Sequence, residues 1–156
     1  MNNPYRPPNS PVRDPRSNTR GATWKAIALG LAADIGGTLV FSLLASIIYG
    51  MLLAAQGLNE EAIIATFSDA PYQVFGLFSG AIFTAIGGYV AARVANHLEY
   101  RHGLYLGIAS LVSGEVLVQL LGSETALWLH ISSLILALPA AIMGAHMRVK
   151  HKRAEQ

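Results

Sequence analysis

Residues Pro71 to Gly114 read PYQVFGLFSGAIFTAIGGYVAARVANHLEYRHGLYLGIASLVSG, two apolar runs joined by a short basic turn. About 20 apolar residues in a helix cross the roughly 30 Å of a bilayer's hydrocarbon core. Arg93 and Arg101, between the runs, are poorly tolerated inside that core. The chain must surface at the turn, so the stretch predicts a helical hairpin in a membrane. Along the first run Gly76, Gly80, Thr84, Gly88 and Ala92 recur every four residues. Such small side chains give a helix a groove that a second helix can approach closely. A four-residue step drifts by roughly 40° per repeat on a 3.6-residue helix, so the groove winds around the axis and suits a right-handed crossing.

Working outward, Trp24 to Ala55 and Ala126 to Met147 are further apolar runs of spanning length. The chain has 156 residues, of which 53% are hydrophobic and 13% charged, a composition too apolar for an ordinary soluble domain. The expected fold is all-α: a polytopic membrane protein with four transmembrane helices in an antiparallel bundle, at about 23–52, 71–94, 103–121 and 125–148. These helices form one transmembrane domain over 21–148. Between the first two, Asn59 suits a helix cap, Glu60 and Glu61 suit a first turn, and Leu58, Ile63, Ile64 and Phe67 supply an apolar side. A short interfacial helix is expected over about 59–67. Ser68 or Asp69 then caps the second span, with Pro71 in its first turn.

All eleven Lys and Arg residues fall in three segments: Arg6 to Lys25, the turn with Arg93 and Arg101, and Arg148 to Arg153. The loop from Gln56 to Ala70 and the turn from Gly122 to Thr125 have none, and hold Glu60, Glu61, Asp69 and Glu124. Basic residues beside spans are retained in the cytoplasm, which predicts a multi-pass membrane protein with both termini cytoplasmic. Residues 1–20 carry five of the seven prolines among Asn, Ser and Arg, as expected of a disordered cytoplasmic tail. Residues 149–156 are expected to be a second, basic tail. Basic clusters beside spans serve topology, so the bilayer, and no nucleic acid, is the expected partner, with a homo-oligomer or another membrane protein beside it.

Small residues mark faces on the other spans as well. Gly30, Ala33, Asp34 and Gly37 share one side of the first; Gly107, Ser110 and Gly114 lie along the third, beside Glu115 and Gln119. His130, Ser133, Ala137, Ala140 and Gly144 do the same on the fourth, where the interior Pro139 predicts a kink. The expected helix-packing glycines are thus Gly30 and Gly37, Gly76, Gly80 and Gly88, Gly107 and Gly114, and Gly144. Gly30 to Leu44, GLAADIGGTLVFSLL, also aligns with Gly107 to Leu121, GIASLVSGEVLVQLL, keeping both glycines. That match predicts a parallel repeat of two helical hairpins about an axis along the membrane normal.

GGYVAAR closing one helix and HG opening the next, with the four-span layout, resembles an uncharacterised group of small four-helix bacterial membrane proteins. The resemblance covers Gly76 to Gly114 and implies a fold and a compartment, the bacterial inner membrane, with no activity attached to it.

Ionisable residues inside membrane helices are rare, so Asp34, Glu115 and His130, with Gln119 beside them, are the candidates for function. Spacing places Asp34 near the midplane and brings Glu115 and His130 to similar depth on neighbouring helices, where an ion pair is allowed. One reading makes these groups hydrogen-bonding glue in a non-enzymatic helix-packing or interaction subunit. The alternative makes them a proton or cation path in a small oligomeric transporter or channel subunit. Nothing points to an enzyme: there is no cysteine, no serine with a base and oxyanion donors, no phosphate loop and no dinucleotide fingerprint. His97, Glu99, His102, His146 and His151 share a boundary, but their spacings repeat no ligand pattern, so no metal or cofactor is expected.

Overall fold

A computed structural model describes residues 22–120 and 126–154, and these form five helices: α1 (Thr23–Ala55), α2 (Glu60–Ser68), α3 (Ala70–Ala95), α4 (Glu99–Leu120) and α5 (Leu127–Ala154). Four of them, α1, α3, α4 and α5, are long and apolar enough to cross a membrane. The protein is an all-α membrane bundle. The expected N-terminal tail and the turn between α4 and α5 lie outside the described residues.

Local chemistry sets the ends. Asn59 caps α2, its side chain accepting from the Ala62 amide at 3.0 Å, and Glu60 and Glu61 occupy the first turn, where the helix dipole favours negative charge. Asp69 stands at the N-cap of α3 without a side-chain bond, followed by Pro71 in the first turn. α3 stops at Asn96, which takes the left-handed conformation (φ 53°) and donates its amide to Ala92. Leu98 is left-handed too (φ 47°), an unusual conformation for a branched residue, and it turns the chain straight into α4.

Two boundaries differ from expectation. α4 begins at Glu99, before the basic turn is complete, and α5 runs through Pro139 to Ala154 in place of a separate tail from 149. Lys152 explains the second: its ammonium lies 2.7 Å from Glu99 Oε1 and donates to the Asn96 carbonyl at 3.3 Å, fastening the last turns of α5 to the α3–α4 turn.

Thr23, Asn96, Glu99, His102 and Lys152 gather at one end of the bundle, so the spans alternate in direction and the described chain begins and ends on the same side. This is the basic end; Glu60, Glu61 and Asp69 lie at the opposite, acidic end. α3 is the hub, packing against α1, α4 and α5, while α4 also meets α1 and α5. A two-fold relating the hairpins would exchange α3/α4 with α1/α5. α3 packs on α4, but α1 and α5 do not meet among the described residues, so the arrangement departs from that two-fold.

In the half nearer the basic end the helices touch through glycine and alanine. A side chain on Gly88 would strike the backbone carbonyl of Ala141, and one on Gly144 that of Ala85, so α3 and α5 are nearly in backbone contact. Gly87 and Gly30 bring α3 and α1 close as well, though less so, while Gly103 and Gly107 face Ala145, Ala141 and Leu138 across α4 and α5. The core is Ala91, Leu106 and Ala141, with Leu106 the one large side chain fully buried among the described residues. Small interfacial residues are what lipid-embedded helices need, because close backbone approach replaces a hydrophobic drive that lipid does not supply.

The half nearer the acidic end is built differently. Between α1 and α3 the space is filled by rings: Phe83 covers Gly37, and Phe41, Phe75, Tyr72, Tyr49 and Phe67 continue the stack to α2. Between α3, α4 and α5 no such ring pairs are found in this half among the described residues; those that join them, Tyr89 with His151 and Tyr100 with His146, lie toward the basic end. Gly76, Gly80 and Gly114, expected at helix contacts, have nothing within 4 Å of where a side chain would start. The glycine groove of α3 is therefore closed by α5 over Gly88 and open over Gly76 and Gly80, because the helices diverge and no bulky side chain bridges the gap.

Candidate functional site

The divergence leaves a cleft of about 790 Å³ bounded mainly by α3, α4 and α5, with Thr38 of α1 at its edge. Gly76, Gly80 and Gly114 line it, and their lack of side chains is what gives it room. Its polar lining consists of Thr84 on α3, Ser110 and Glu115 on α4, and His130 and Ser133 on α5, besides Thr38. The rest is aliphatic.

Asp34 lies behind the cleft. It is 4% exposed, on the glycine face of α1, and both carboxylate oxygens are engaged: Oδ1 accepts from Thr84 Oγ1 at 3.1 Å and Oδ2 from Ser110 Oγ at 2.5 Å. Three helices are thereby joined through one carboxylate. Its environment follows from the glycines on either side, since Gly30 and Gly87 bring α1 and α3 close enough for a short aspartate to reach across.

Glu115 and His130 do meet across the α4–α5 interface, with His130 Nδ1 3.3 Å from Glu115 Oε2, and Gln119 Nε2 donates to Oε1 at 3.2 Å. The pair is not sealed: the side chains are 53% and 35% exposed for Glu115 and His130 respectively. Because α4 starts at Glu99, Glu115 stands roughly 24 Å along it from the basic end, while Asp34 is only about 16 Å along α1. The two acids therefore sit at different depths, Glu115 in the half nearer the acidic end.

The sequence singled out Asp34, Glu115, Gln119 and His130 but not the two hydroxyls that bind Asp34. Thr84 did carry a signal, as the single hydroxyl in a row otherwise of glycine and alanine, and Ser110 lies on the small-residue face of α4. At the basic end the histidines disperse: His102 is buried and 3.3 Å from Thr23, His97 lies beside it with ring centroids 5.0 Å apart, His146 bonds Tyr100 at 2.8 Å and His151 bonds Tyr89 at 3.2 Å. Among the described residues no three metal-binding side chains converge.

No family model, curated protein or solved structure matches this chain. The chemistry of the cleft therefore stands on its own residues.

Proposed function

We propose that this chain is a non-enzymatic subunit of the bacterial inner membrane, with both termini cytoplasmic, which binds and passes a proton or small cation through its cleft as part of an oligomer. The observation that carries the reading is the Glu115–His130 pair on the wall of an unfilled space, with the Thr84 and Ser110 hydroxyls connecting that space to Asp34. A carboxylate in a membrane helix is tolerated where it is paired or faces a wet cavity, and such groups commonly mark ion or proton paths. The orientation rests on the concentration of basic residues at one end of the bundle. Toward that end the glycine and alanine contacts close the interior, so passage requires the α3–α5 contact to part.

A second reading is favoured by Asp34 itself. Buried, with each oxygen satisfied by a hydroxyl from a different helix, it has the environment of structural glue in a helix-packing or interaction subunit. Proteoliposomes separate the two. With a pH or monovalent-cation gradient imposed, the wild type should carry a flux above that of empty liposomes, and Glu115→Gln should abolish it without altering helix content or oligomer size. No flux from the wild type defeats the transport reading and leaves the structural one.

A further inference from the structure

We propose that the cleft is a binding site for a small alkylammonium ion, one with N–H bonds on its charged nitrogen and a short aliphatic body. The inference deepens the cation reading of the same cleft and rests on it only in placing a ligand there. It comes from where the hydroxyl protons go. A serine or threonine hydroxyl has one proton and two acceptor lone pairs. Thr84 and Ser110 both give theirs to Asp34, and Ser133 gives its proton to the His130 carbonyl at 2.8 Å. These three hydroxyls belong to the cleft wall, with Thr38 at its edge as a fourth, so the remaining capacity of the three is for accepting.

Glu115 adds two acceptor oxygens, each already held in place from one side by Gln119 or His130. If neutral His130 gives its Nδ1 proton to Glu115, its Nε2 is one more acceptor. Among the described residues, no Lys or Arg lines the cleft. With His130 neutral, an anion would find no charged donor, whereas a protonated amine would find a carboxylate and several acceptors. A quaternary ammonium has no N–H bond to give them, and the lining has none of the aromatic rings that bind such ions by their faces. The remaining wall, including Leu77, Val118 and Leu134, suits an aliphatic body, and about 790 Å³ lies within the usual range of roughly 300–1,000 Å³ for small-molecule sites.

The test is equilibrium binding to the full-length protein in nanodiscs of uncharged lipid, with empty nanodiscs subtracted. The probes are hexylammonium, hexyltrimethylammonium, hexanoate and hexanol. Hexylammonium should bind saturably and at least tenfold more tightly than the other three. Glu115→Gln should weaken it at least tenfold by removing the charge. Gly80→Leu should do so by filling the cleft, and the open space over Gly80 makes it the variant least exposed to misfolding. Equal binding of hexyltrimethylammonium or hexanol, no binding above empty nanodiscs, or unchanged binding in folded Gly80→Leu would each overturn the proposal. Should either variant fail to fold, the wild-type probe series decides alone. Binding without flux would keep this site and defeat transport, whereas proton flux without binding would do the reverse.

Discussion

Gly80 and Gly88 occupy equivalent places in the four-residue row of α3, and replacing each by alanine should show that they are not equivalent. In both variants the helix exchanges glycine for alanine, so the gain in helix propensity, up to about 1 kcal/mol, is common to the two and cancels in their difference. What remains is packing. At Gly80 the added methyl meets nothing within 4 Å. At Gly88 it meets the carbonyl, carbon and Cα of Ala141, which are backbone atoms in the most closely packed part of α5 and cannot swing aside as the end of a side chain would. Overpacking of this kind costs about 1–3 kcal/mol, so Gly88→Ala should be less stable than Gly80→Ala by about that amount. Unfolding both proteins in mixed micelles with increasing SDS, followed by circular dichroism, gives the difference directly. Equal midpoints for the two variants would refute the placement of α5 over the part of α3 nearer the basic end and with it the divergence that forms the cleft.

Thr84→Val and Ser110→Ala each strip one donor from a buried carboxylate, and each should lower stability by about 1–3 kcal/mol in the same assay. Because both donate to the one Asp34 carboxylate, their combined effect should differ from the sum, and additivity within about 0.5 kcal/mol would argue against a common site. For orientation, reporter fusions after Glu60 should read as external and one after Asn96 as cytoplasmic; a cytoplasmic signal at Glu60 would invert the layout.

The sequence alone determined the class of protein and the number of spans, because spanning length and the intolerance of lipid for charge are properties of single segments. It also located the Asn59 cap and the first-turn place of Pro71, which act within one helical turn, and it put Asp34 on a small-residue face and Glu115 within reach of His130. Helical period and depth are enough for such statements. It did not determine which glycines are used. Gly76, Gly80 and Gly88 share one repeat, yet only Gly88 meets another helix, because contact depends on where α5 diverges from α3, and that is set by side chains remote in sequence. Nor did it reveal that α5 continues to Ala154, since the interaction of Lys152 with Glu99 and the Asn96 carbonyl joins positions 53 and 56 residues apart. The cleft belongs to the tertiary structure in the same sense: rings fill the gap between α1 and α3 but nothing of that size stands between α3, α4 and α5, and a space left unfilled by several helices has no signature in any one of them.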